Sequence, residues 1–133
     1  MPQVDDRLIG QLRELLGERG VRTEPDDVLP EVILKPESTE QVAGILRLCH
    51  AAGQALVPIG GKTGLANGHV KTGGELGLSL ERLNAIEEID TENRTMTVQA
   101  GCILQVAHEA AEEQGLILPL DLGARGSATV GGN

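Results

Sequence analysis

Leu8, Leu12, Leu15 and Leu16, with Ile9 beside them, recur at the three- and four-residue spacing of an amphipathic helix. The pattern predicts a helix over 4–19, capped by Asp5 or Asp6 and ended at Gly20. Residues 21–30 are polar and turn-rich and read as a linker. Val32-Ile33-Leu34 reads as a short strand, closed by Pro36. In the helix predicted next, Ser38 and Gln41 have the spacing of a capping box. Val42, Ile45, Leu46 and Cys49 form its apolar stripe, and Gly53 stops it. With Ala55-Leu56-Val57 as the following strand, 32–57 has the order of a βαβ unit with a parallel pair.

Leu76-Gly77-Leu78-Ser79-Leu80 alternates as a third strand of this part. Residues 84–89 and 95–100 flank a turn at Asp90-Thr91-Glu92-Asn93-Arg94 and predict a hairpin. Ile103, Val106, Ala107, Ala110 and Ala111 mark a last helix face, ended by Gly115. Leu116-Ile117-Leu118 leads into Pro119 and a glycine-rich close.

Two segments break the periodic pattern. Pro58-Ile59-Gly60-Gly61-Lys62-Thr63-Gly64-Leu65 follows an apolar run, where α/β sheets place ligands. Its glycines permit close approach of a ligand to main chain, and successive N–H groups in such a turn form an anion-binding nest. Gly123-Ala124-Arg125-Gly126-Ser127-Ala128-Thr129-Val130-Gly131-Gly132-Asn133 is the second. Two such loops in one small domain point to a large phosphorylated cofactor. A nucleoside-triphosphate P-loop does not fit: the first glycine of that motif would fall at Leu56, and Asn67-Gly68 signals a turn where its helix should begin.

The 133 residues suffice for one domain, yet Phe, Tyr and Trp are absent. The core is therefore expected to be modest and built from aliphatic side chains. A net charge of −9 argues against nucleic-acid binding and against a polybasic membrane patch. No apolar run has transmembrane length, and the N-terminus lacks the pattern of a secretory signal, so a cytoplasmic location is expected. Cys49 and Cys102 fall in helical apolar patterns and read as buried free thiols. His50 and His108 read as helix-surface residues, and no metal-ligand spacing connects the histidines to the cysteines.

Five landmarks in order, over about 105 of the residues, make the chain resemble the FAD-binding PCMH-type domain of the vanillyl-alcohol-oxidase superfamily. The likeness is greatest to its FAD-linked 2-hydroxy-acid dehydrogenase branch, which holds D-lactate dehydrogenases, the glycolate oxidase flavoprotein subunit and D-2-hydroxyglutarate dehydrogenase. The landmarks are Lys35-Pro36 with Ser38-Thr39-Glu40-Gln41-Val42, then 58–65, then Leu78-Ser79-Leu80-Glu81-Arg82-Leu83-Asn84, then Val98-Gln99-Ala100-Gly101, then Leu118–Asn133. The resemblance implies an α+β fold: a small parallel βαβ subdomain over the first part of 29–133, followed by the start of a mainly antiparallel subdomain. Residues 1–28 would be an N-terminal helix and linker.

It also implies roles for particular residues. Pro58, Ile59, Gly60, Gly61, Lys62, Thr63, Gly64 and Leu65 would wrap the FAD diphosphate. Gly126, Ser127, Thr129, Gly131, Gly132 and Asn133 would approach the diphosphate and the isoalloxazine. Pro119, Leu120 and Asp121 would line the flavin edge, with a turn-capping role for Asp121 as the alternative. Some relatives carry a flavin-linking histidine where Lys62 stands here, so noncovalent FAD is expected, and His69 is not expected to form such a link. The implied activity of the full-length protein is oxidation of a D-2-hydroxy acid to the 2-oxo acid, with an electron acceptor the sequence does not specify. Another oxidase or reductase of the same fold, or a non-catalytic module reusing it, is the alternative. The chain stops inside the last landmark and so reads as an N-terminal piece, inactive by itself, without catalytic or metal-binding residues. Its uncovered apolar surface and strand edges would favour a homo-oligomer.

Overall fold

A computed structural model describes residues 4–25, 29–61, 73–121 and 123–132. Helix α1 spans Asp6–Leu16. Asp5 caps it, its carboxylate accepting from the Arg7 amide at 2.9 Å. The helix ends earlier than its periodicity suggests, because Gly17 turns the chain at φ 74° and closes the last turn onto the Arg13 carbonyl. Gly20 instead closes a short 3-10 turn over Glu18–Gly20.

The expected linker is partly a strand. β1, Val21–Thr23, pairs antiparallel with β2, Val32–Leu34. Its three residues are too few for a periodic signal, and only Val21 among them is apolar and buried. Helix α2 spans Thr39–Ala52, with Ser38 Oγ accepting from the Gln41 amide at 3.1 Å. The reciprocal bond of the capping box is shifted by one residue: Gln41 Oε1 accepts from the Glu37 amide, not from that of Ser38. Gly53 ends the helix at φ 64°.

β3, Leu56–Ile59, and β4, Leu76–Ser79, complete a four-stranded sheet of order β1-β2-β4-β3. β2 and β3 both run parallel to β4, which lies between them. The predicted βαβ unit is therefore present in direction but split, with the later strand inserted. β3 starts one residue later than expected and takes Pro58 and Ile59 into the sheet. A proline is tolerated there because β3 is an edge strand. β4 in turn stops before Leu80.

The principal core lies between this sheet and the two helices. It joins Leu8, Leu12 and Leu16 of α1 to Ile45 and Cys49 of α2 and to Val21, Leu34, Leu76 and Leu78 of the strands. Leu46, expected in the buried stripe, is 50 % exposed. Gly44 takes the inner face in its place, where a Cβ would lie 2.7 Å from a methyl carbon of Leu15, so α1 crosses close over it. A smaller cluster of Leu29, Ile33 and Ile59 forms separately.

β5, Ile86–Asp90, and β6, Thr95–Val98, form the predicted hairpin as a separate two-stranded sheet. Asp90 builds its turn: one carboxylate oxygen accepts from the amides of Glu92 and Asn93, each at 3.0 Å, and the other from the Asn93 side chain. Helix α3, Leu104–Glu113, follows. Cys102 precedes this helix rather than belonging to it, and Ile103 and Val106 are exposed. The inward face is Leu104, Ala107, His108 and Ala111, about one residue round from the predicted stripe. The parallel sheet followed by an antiparallel hairpin is the α+β plan implied by the resemblance.

Candidate FAD site

The end of β3 and the segment 127–132 meet through main chain. A Cβ on Gly61 would collide with the Ser127 carbonyl and lie 2.9 Å from the Ala128 Cα. A Cβ on Gly60 would lie 3.2 Å from the Gly132 Cα and 3.2 Å from Thr129 Oγ1. One on Gly132 would lie 2.7 Å from the same hydroxyl. Thr129 thus holds its hydroxyl between two glycines that belong to different loops, in a space any larger residue would fill. Glycine is required at these positions by the contact between the two loops, and the close main chain and hydroxyl it leaves at their junction are of the kind a diphosphate needs beside it.

The two loops contribute differently. In the second, the amides of Ser127 and Ala128 donate to the Ala124 carbonyl, that of Val130 to Cys102, that of Gly131 to Ala100, and that of Gly132 to Thr129. These N–H groups are occupied within the protein, so this loop offers a close glycine surface and hydroxyls more than an amide nest. Gly126 has open space where its Cβ would be, so its freedom from a side chain is not required by packing. Pro119, Leu120 and Asp121 are exposed, and Asp121 pairs with Arg125 at 3.3 Å. Lys62, Thr63, Gly64, Leu65, His69 and Asn133 lie outside the described residues.

Two supports of the site had no role assigned from sequence. A Cβ on Gly101 would strike the carbonyls of Leu80 and Leu83, and Gly101 donates to the latter at 2.8 Å. Its neighbour Ala100 packs on Gly131, whose Cβ would come 2.5 Å from that of Ala100. A continuous main-chain path therefore runs from the end of β4 to the second loop. The second support is ionic. Lys35 pairs with Glu81 at 2.5 Å, and Arg82 reaches Glu37 at 2.9 Å and the Lys35 carbonyl at 3.3 Å. These pairs join the ends of β2 and β4. Beside Gly60, the Lys35–Glu81 pair borders a cavity of about 100 Å³, lined also by Arg22, Leu29, Ile33, Ile59 and Ser79. The signal for both lies in the landmarks at 35–42, 78–84 and 98–101, where the pattern alone carries no physical role.

His108 departs from its predicted surface position: it is 8 % exposed, with Nε2 2.5 Å from the Leu120 carbonyl. The chain after α3 folds back over it, a tertiary contact that helical spacing does not encode. His50 is exposed as predicted. Cys49 and Cys102 are buried free thiols, and burial raises both above the ordinary thiol range. Among the described residues, no cluster of His, Cys, Asp or Glu could hold a metal ion, and no helix is long and apolar enough to cross a membrane.

Comparison with known proteins shows the family of the chain and its fold. Residues 30–133 match the FAD binding domain family, and the chain belongs to it. It is 50 % identical over 104 residues to a D-2-hydroxyglutarate dehydrogenase of Xanthomonas citri pv. viticola, covering 78 % of this chain and 22 % of that protein. To a D-lactate dehydrogenase of Anaerostipes hadrus it is 41 % identical over 104 residues, again 78 % of this chain and 22 % of the relative. The chain thus spans about a fifth of the length of these relatives. A solved alkyldihydroxyacetonephosphate synthase superposes with a TM-score of 0.88 at 17 % identity, covering 98 % of this chain and 29 % of the other, which shows the shared fold.

Proposed function

We propose that this chain is the cofactor-binding part of an FAD-dependent dehydrogenase that oxidises a D-2-hydroxy acid, of the lactate, glycolate or 2-hydroxyglutarate type, to the 2-oxo acid. The observation that carries the reading is the packing of Gly60 and Gly61 against Ser127–Thr129 and Gly132. The names of the dehydrogenase relatives supply the substrate class. Bound FAD supplies the hydride acceptor for such an oxidation. The chain's own residues bind and orient it. The segment 58–65 presents main-chain amides to the diphosphate, with Thr63 adding a hydroxyl and Lys62 a compensating charge. Thr129 adds a second hydroxyl from the other side, and Gly131 and Gly132 keep the wall thin. Ser127 and Gly126 continue that wall, Asn133 extends it, and Pro119, Leu120 and Asp121 flank the flavin.

With Lys62 where a linking histidine would stand, FAD is held without a covalent bond. Residues 29–133 form the cofactor-binding unit, with α1 packed on its sheet and β1 added to that sheet as an edge strand. The whole protein acts in the cytoplasm and passes electrons to a separate acceptor.

The test uses the full-length product of the gene encoding this chain. Acid or heat denaturation should release intact FAD into the supernatant, and anaerobic addition of D-2-hydroxy acids should bleach the flavin absorbance while the L-enantiomers do not. Colour retained in the denatured pellet contradicts noncovalent binding. A flavin that no D-2-hydroxy acid bleaches contradicts the substrate class.

A further inference from the structure

Helix α3 lacks a side-chain cap, since its N-cap residue is Ile103. Carbonyls of the second glycine stretch meet its first amides instead: Leu104 donates to Ala128 and Gln105 to Arg125, each at 2.8 Å. One turn along, His108 directs Nε2 at the Leu120 carbonyl. A carbonyl oxygen only accepts, so Nε2 carries the hydrogen. Three contacts from a single turn of α3 therefore hold the chain at 120, 125 and 128. Between the first two of these points, Asp121 and Arg125 pair with each other. A buried aliphatic side chain would fill the place of His108 equally well, but it would leave the Leu120 carbonyl without this donor.

We infer that His108 is a positioning residue for the FAD site: its Nε2–H fixes the Leu120 carbonyl and thereby sets Pro119–Asp121 relative to the second glycine stretch. The consequence for FAD rests on the reading under "Proposed function"; the contact itself does not. His108 touches no reacting atom, and its effect on the cofactor passes through Leu120.

The full-length protein is compared with H108L, which keeps bulk and removes the donor, and with H108Q, whose amide can donate to the same carbonyl. H108L should weaken FAD binding about tenfold in Kd and alter the visible circular dichroism of the flavin, while H108Q stays within about twofold of the parent. Parental affinity in H108L, or equal weakening in both variants, overturns the inference. If H108L does not fold, nitrogen-15 histidine NMR of the parent decides: a slowly exchanging hydrogen on His108 Nε2 supports the inference, and an unprotonated Nε2 overturns it. If the parent binds no FAD, the flavin reading fails by itself. Hydrogen exchange over 119–128 then tests the positioning: faster in H108L and restored in H108Q supports it, and equal rates in all three overturn it.

Discussion

On one side of the parallel sheet, three leucines of α1 and two side chains of α2 pack on Leu34, Leu76 and Leu78, and several of these are wholly buried. In the hairpin region, by contrast, no residue from Asn84 to Ala100 is buried. Beyond it the buried side chains are mostly small: Cys102, Ala107, Ala111 and Ala128, with Leu104 and His108 the exceptions among the described residues of 102–128. The second region owes its order to main-chain hydrogen bonds and glycine contacts, such as those of Gly101, Val130 and Gly131. Pairing with β4, whose Leu76 and Leu78 lie in the principal core, and the smaller cluster of Leu29, Ile33 and Ile59 fix the end of β3, and a hydrogen-bonded loop is laid against it. The candidate FAD site forms where these two kinds of order meet.

That contrast can be broken first at the core. Leu12 is fully buried between α1 and the sheet, so Leu12→Ala should lower stability by about 2–5 kcal/mol, read by denaturant unfolding of the full-length protein. A loss typical of a surface substitution would show that the first region does not rest on this cluster. Gly61→Val acts at the junction. Its side chain would strike the Ser127 main chain, and roughly 3 kcal/mol of overpacking corresponds to about a hundredfold in the Kd for FAD. FAD titration checks it, with unfolding of the parallel-sheet region as the control, and unchanged affinity would separate the two loops in the functional state.

Smaller effects sharpen the comparison. Ser38→Ala removes the α2 cap and should reduce stability by about 1 kcal/mol, with little change in FAD affinity. The smallest effect belongs to the hairpin turn. The Asn93 amide, the Asn93 side chain and the Glu92 amide hold the Asp90 carboxyl below the ordinary aspartate range. Because the folded value is lowered, its contribution is complete above the unfolded value and disappears as pH falls through the folded one. A carbon-13 titration of Asp90 should show the lowered midpoint. Asp90→Asn should remove that titration and slightly speed hydrogen exchange in β5 and β6 alone.

The sequence disclosed those parts whose order is local. The α1 leucines, the Ser38 cap, the Gly53 stop and the Asp90 turn are each fixed by residues within a few positions, and each lies where the pattern placed it. The two glycine segments were also visible, and the structure brings Gly60 and Gly61 against 127–132. What the pattern did not disclose depends on tertiary partners. β1 exists because β2 pairs with it, β4 intervenes between β2 and β3, Leu46 faces outward because Gly44 admits α1, and His108 is covered by the returning chain. The occupied amides of the second loop were hidden for the same reason: carbonyls distant in sequence accept from the amides of 130 and 131.

A crystal structure of the full-length protein with FAD tests the shared cradle most directly. The expected result is a diphosphate seated at Gly60–Gly61, within hydrogen-bonding distance of main-chain amides of that loop and of the Thr129 hydroxyl. A diphosphate bound elsewhere, with Gly61 and Ser127 still in contact and no phosphate near either, would contradict it.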